Sequence, residues 1–114
     1  MATALAWAPD GSVLAAGLAN REVRVWDPSQ GELRYTLLDH RGRIAALALS
    51  SAGQLASASS AEHFLRLWDV ADGRSLRQLE GHARGVMSLD YDPRGERLVA
   101  GGQDGLALVW SVQD

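Results

Sequence analysis

Apolar runs of five or six residues recur along the chain and are cut apart by turn residues. One kind is ALAWA at Ala4–Ala8, ALALS at Ala46–Ser50 and SLDYD at Ser88–Asp92. Each of these leads into Pro9-Asp10-Gly11, Ser51-Ala52-Gly53 or Pro93-Arg94-Gly95. Proline presets φ for such a turn, and glycine supplies the positive φ that a tight connection needs. A second kind is VLAAGL from Val13, QLASAS from Gln54 and RLVAGG from Arg97. The third is EVRVW, FLRLW and LALVW, ending at Trp26, Trp68 and Trp110. In the first two of these an arginine alternates with apolar neighbours, the period of a half-exposed strand. A fourth kind, LRYTLL from Leu33 and SLRQLE from Ser75, follows a glycine and precedes a histidine. Runs this short leave no room for helices, so the pattern predicts an all-β chain.

The runs repeat with a fixed period. Trp26, Trp68 and Trp110 are 42 residues apart, as are Gly11, Gly53 and Gly95, and Trp7, Leu49 and Tyr91. His40 and His82 keep the same interval, and so do Gly31 and Gly73. Self-similarity at this period marks a repeat architecture of about forty residues per unit. Each unit is a sheet that buries its faces only against its neighbours. Alanine-rich first strands (Ala4, Ala6, Ala8; Ala45, Ala46, Ala48) suit the crowded centre of a radial array. Larger side chains such as Leu37, Leu38, Trp68 and Trp110 belong further out, where the wedge widens.

These residues resemble the WD-repeat β-propeller family over essentially the whole chain. The segments that carry the likeness are LAAGLANREVRVWD (Leu14 to Asp27), LASASSAEHFLRLWD (Leu55 to Asp69) and LVAGGQDGLALVWS (Leu98 to Ser111). Gly81-His82 is the family's closing dipeptide, and Asp39-His40 has lost its glycine. The resemblance implies blades of four-stranded antiparallel sheet. It also implies a structural network joining a histidine, a strand hydroxyl, a turn aspartate and the tryptophan. In the middle unit that network falls on His40, Ser57 and Trp68, with Glu62 nearest the aspartate place. In the third it falls on His82, Asp104 and Trp110, with Ala100 where the hydroxyl belongs. The first unit has only Asn20 and Trp26, with Ala16 at the hydroxyl place. The middle unit also has a shorter first turn and a longer second one, since Leu14, Leu55 and Leu98 lie 41 and 43 residues apart.

Grouping the strands by the repeat gives a single segment, 1–114, with blades at about 3–27, 33–69 and 75–112. On this grouping the first blade lacks its outermost strand, and three blades form an incomplete ring. Closed propellers need about 4–8 blades. The expectation is therefore that the 114-residue chain is cut from, or completed by, further blades in cis or in trans, with a homodimer as its self-assembly.

Composition narrows the chemistry. There is no cysteine, and all 11 basic residues are arginine, which excludes Schiff-base chemistry and a phosphate-loop lysine. A net charge of −3 offers no basic field for nucleic acid. No run approaches the ~20 apolar residues of a membrane helix, and no signal-peptide pattern opens the chain, so a cytoplasmic location away from membranes is expected. Ser57, His40 and Asp39 lack a nucleophile-elbow pattern, and His40, His63 and His82 lack metal-ligand spacing. No catalytic residue, metal or cofactor is expected.

The loops carry the remaining information. Chain direction puts Arg21, Arg41, Arg43 and Arg84 on one face of the disc, with His63 and Gln103. The other face is acidic, with Asp10, Asp27, Glu32, Asp69, Asp72, Asp92 and Glu96. Guanidinium forks suit carboxylate and phosphate oxygens, so the arginine face is the expected docking surface for other proteins or acidic peptides. The resemblance implies a non-catalytic interaction scaffold. The alternative is a module whose main property is ring completion.

Overall fold

The computed structural model describes residues 1–38, 40–59, 61, 64–80, 85–103 and 105–112. The order of elements is β1 (Ala2–Trp7), β2 (Leu14–Leu18), β3 (Val23–Asp27), β4 (Glu32–Leu37), β5 (Ile44–Leu49), β6 (Gln54–Ser59), β7 (Phe64–Asp69), β8 (Arg74–Glu80), β9 (Val86–Tyr91), β10 (Arg97–Gly102) and β11 (Ala107–Ser111). No helix occurs among the described residues. Every pairing is antiparallel, and the strands form three sheets, β1-β2-β3-β4, β5-β6-β7-β8 and β9-β10-β11.

The sheet grouping corrects the expected placement of the missing strand. β4 pairs with β3, from Val23↔Leu37 to Asp27↔Glu32, so the first blade is complete and the third lacks a fourth strand. The sheets run 2–37, 44–80 and 86–111, one strand out of phase with the expected 3–27, 33–69 and 75–112. The reason is turn geometry. The chain between β3 and β4 is a tight reversal with Gly31 at φ +68°, and Asp27 Oδ1 accepts from the Ser29 N–H and hydroxyl. Such a reversal holds two strands in one hairpin, whereas the chain from β4 to β5 crosses to the next sheet.

Alternation along each strand divides its side chains between two cores. In β5, Leu47 and Leu49 face the first sheet while Ala46 and Ala48 face the third. The first core joins Val13, Ala15, Val23, Val25 and Leu37 to Ile44, Leu55, Trp68 and Val70. The second joins Ala56, Ala58, Leu65 and Leu67 to Val86, Tyr91, Leu98 and Ala100. Among the described residues, only the middle sheet is covered on both faces. Burying a leucine such as Leu65 or Leu67 contributes about 2 kcal/mol.

The innermost strands β1, β5 and β9 lie side by side. Small residues permit that approach. A Cβ on Gly17 would come within 2.3 Å of Ile44 Cγ2, so the first two sheets could not close on any larger residue there. Thr3 Oγ1 donates to the Ile44 carbonyl at the same junction.

Candidate functional site

Strand register decides which loops share a face. β1 begins beside the end of β2 (Ala2↔Leu18), β3 begins beside the end of β4 (Val23↔Leu37), and β5 begins beside the end of β6 (Ile44↔Ser59). The connections after β2, β4, β6, β8 and β10 therefore lie at one end of the sheets. The tight turns after β1, β3, β5, β7 and β9 lie at the other.

The network of the middle sheet lies inside the blade. Ser57 and Trp68 stand on neighbouring strands β6 and β7, with Leu55 opposite Trp68. Trp68 Nε1 donates to Ser57 Oγ at 2.8 Å, and His40 Nε2 lies 2.6 Å from the same oxygen. A hydroxyl has one hydrogen and two lone pairs, so it accommodates the indole donor together with either tautomer of the histidine. All three are buried, at 4%, 0% and 3% exposure in chain order. The serine oxygen is fully enclosed, and the geometry is that of a satisfied structural network. Glu62 lies outside the described residues, as do His82 and Asp104 of the third unit. There Trp110 packs against the second core with Ala100 buried beside it.

In the first sheet the network residues are apart. Asn20 is exposed, and its side-chain oxygen accepts from the Glu22 N–H at 3.3 Å, holding the turn between β2 and β3. Trp26 lies on the face of the sheet that has no neighbour, with Leu5, Leu14, Ala16 and Leu18 around one recess. Trp7 is 58% exposed on that face.

On the loop face, Arg21, Arg41, Arg43 and Gln103 are exposed, and Arg84 and His63 lie outside the described residues. Arg21 is held at φ +78°, the value Gly105 takes in the equivalent turn of the third sheet (+79°). Among the described residues no carboxylate pairs with Arg21, Arg41 or Arg43; Glu22 pairs instead with Arg24 at 2.8 Å. Gln103 Nε2 is 3.5 Å from Met87 Sδ. Arg43 edges a recess of about 280 Å³ with Thr3, Ile44, Ala45 and Met87, where the three innermost strands begin. An arginine at the edge of a partly apolar recess can hold an anionic group beside a docked side chain.

The opposite face is acidic for a local reason. Asp10 Oδ1 accepts from the Ser12 N–H and hydroxyl, Asp69 Oδ1 from Ala71 N–H, and Asp72 Oδ1 from Arg74 N–H. Hydrogen bonds from the Ser12 hydroxyl and N–H hold the Asp10 carboxyl below its ordinary range, and the Ser29 hydroxyl does the same for Asp27. At Asp92 burial works upward, but the Glu96 N–H and the Arg97 side chain and N–H outweigh it, and the carboxyl is lowered. These carboxylates are committed to turns. Aspartate two residues ahead of serine was a readable sign of this.

The sequence pattern did not disclose the contacts between sheets. Tyr91 hydroxyl donates to Gln54 Oε1 at 2.7 Å, and Tyr35 hydroxyl donates to the Ala71 carbonyl. Their columns in the repeat hold unlike residues, Trp7 and Leu49 in the case of Tyr91, so periodicity could not single them out.

Comparison with known proteins agrees with this architecture. Residues 73–111 match the family model described as WD domain, G-beta repeat, and residues 1–52 match the Anaphase-promoting complex subunit 4 WD40 domain. The human U5 small nuclear ribonucleoprotein 40 kDa protein is 48% identical over 42 residues, 37% of this chain and 12% of that protein. Cell division cycle 20.1, cofactor of APC complex, from Arabidopsis thaliana, is 45% identical over 47 residues, 40% of this chain and 10% of that protein. Solved structures of U3-55K and of the RRP9 WD40 repeats superpose with TM-score 0.86 at 28% identity, covering 97% of this chain and 34% of theirs. The chain thus spans a minor part of each of these proteins.

Proposed function

Since the chain belongs to the WD-repeat family, we propose that it serves as a non-catalytic scaffold whose arginine-bearing loop face takes an acidic segment of a partner protein. The observation that carries this reading is the pair Arg41 and Arg43, both exposed and unengaged by any described carboxylate, with Arg43 lining the recess of Thr3, Ile44, Ala45 and Met87. The acidic face is a poorer candidate, because its carboxylates accept backbone donors of their own turns. Two relatives belong by name to larger assemblies, a small nuclear ribonucleoprotein and the APC complex, which supports a scaffold role.

A fluorescein-labelled peptide of alternating glutamate and phosphoserine is a suitable probe, read by fluorescence anisotropy. Replacing Arg41, Arg43 and Arg84 together with alanine weakens binding by about 2 kcal/mol or more, some thirtyfold, since charge-assisted hydrogen bonds contribute about 1.5–3 kcal/mol each. Binding also declines with added salt, because these groups are exposed. Undiminished binding in the triple variant, with loss on Asp69→Ala/Asp72→Ala, assigns the ligand to the other face and removes this reading.

A further inference from the structure

The segment from His40 to Ile44 carries two arginines of the loop face, and its alternate residues are held to the body of the protein. His40 and Ile44 are buried, at 4% and 0% exposure, and Gly42 between them is half-buried. Arg41 and Arg43 are exposed. At one end, His40 Nε2 sits on Ser57 Oγ inside the middle sheet. At the other, Ile44 is pressed against Gly17 of the first sheet. Both ends are fastened, so the contact at the middle decides whether the two guanidiniums are held or free to swing.

That contact is made by Gly42 on the connection between β6 and β7. A Cβ at Gly42 would come within 2.6 Å of Ala61 Cβ, 2.8 Å of Ser59 Oγ and 3.1 Å of the Ala61 nitrogen. The first two are closer than packed atoms tolerate, so only glycine permits this approach. The surface beneath it is firm. Ser59 is fully buried, and its Oγ accepts from the Ala61 N–H at 3.2 Å. This connection belongs to the unit with the longer second turn, and the third unit carries Arg84 in the column of Gly42. The contact is therefore particular to the middle unit.

We propose that Gly42 is a positioning residue for the arginine face, an inference that rests on the reading of that face as the site for an acidic segment. Lacking a Cβ, Gly42 lets the segment close onto Ser59 and Ala61, and this keeps Arg41 and Arg43 turned outward together. The gain is entropic. A side chain that must be ordered on binding loses freedom at that moment, and one on a fixed backbone has less to lose. Arg43, so held, stays at the edge of the recess of Thr3, Ile44, Ala45 and Met87. A methyl at position 42 lifts the segment from the turn between two fixed ends, and both arginines move with it.

Fluorescence anisotropy of the glutamate–phosphoserine peptide with the 114-residue chain tests this. Gly42→Ala is expected to raise the dissociation constant about tenfold. In a chain already carrying Arg41→Ala and Arg43→Ala, the same change is expected to alter it by less than about twofold, because the glycine acts only through those side chains. Adding Ala61→Gly to Gly42→Ala removes the nearest clashing atom and is expected to bring the loss back to about threefold. Gly42→Ala binding as the wild type does, equal losses in both backgrounds, or no recovery with Ala61→Gly each overturn the inference and leave the arginine face standing. Undiminished binding by Arg41→Ala/Arg43→Ala removes the reading of the face itself, and this inference with it. Should Gly42→Ala lose its circular dichroism, Gly42→Ala/Ala61→Gly takes its place in the cycle. Its smaller loss must likewise vanish without the arginines, and an unchanged dissociation constant overturns the positioning role.

Discussion

At the scale of single residues, the middle sheet is distinguished by one hydroxyl. Ser57 holds the indole of Trp68 and the imidazole of His40, while Ala16 and Ala100 occupy the same register in the other sheets. Removing it leaves a buried N–H and a buried ring nitrogen without this oxygen. Ser57→Ala is expected to cost about 2 kcal/mol, read as a lower urea midpoint at unchanged slope. Tyr91 is a second such residue: burial, opposed by the charge of Arg77, pushes its phenol above the usual tyrosine range, keeping the hydroxyl able to donate to Gln54. The resemblance to the WD-repeat family, carried by the Trp-Asp pairs and the histidine spacing, made His40, Ser57 and Trp68 legible in the sequence. Tyr91 and Gln54 were not, because their columns in the repeat hold unlike residues.

At the scale of elements, turns and junctions do different work. The turns carry lowered carboxyls at Asp10, Asp27 and Asp92. A carboxyl lowered by folding stabilises the protein above its unfolded value of 3.8, and that stabilisation is lost as pH falls through the lower folded value. Stability is therefore expected to decline below about pH 4. Asp10→Asn and Asp27→Asn, which keep the acceptor but cannot titrate, should flatten the decline in urea melts taken across that range. The junctions depend on close approach instead. Gly17→Ala forces a methyl against Ile44 and is expected to cost about 2–3 kcal/mol by thermal melting. The equivalent place in the second sheet holds Ala58, buried without such a clash, so the sequence column alone gives no warning.

At the scale of the whole molecule, stability is shared unevenly because each sheet is supported only by its neighbours. The middle sheet has a core on both faces, and the outer sheets have one each. Native-state hydrogen exchange should accordingly find the slowest amides in β5, β6 and β7. The edge strand β11 and the exposed strands β4 and β8 should exchange faster, through local opening. Uniform protection over all three sheets in the free chain would contradict this division.

What the sequence by itself determined is the repeat and the strands within it, since period-two alternation and turn chemistry are properties of neighbours along the chain; the residues of the buried network came from the resemblance to the WD-repeat family. Which strands share a sheet was decided by tertiary structure. The repeat in the text of the sequence can be cut before or after the strand at Glu32–Leu37, and only the hairpin closed at Gly31 assigns that strand to the first sheet. The fate of charge was decided there too. An acidic face was countable from the sequence, but only folded turns show Asp10, Asp27, Asp69 and Asp72 committing carboxylate oxygens to backbone donors, while Arg41 and Arg43 keep their N–H donors exposed. Alternation says that a strand has two faces; packing alone says which of them another sheet has covered, and it leaves Trp7 bare where Leu49 and Tyr91 are buried.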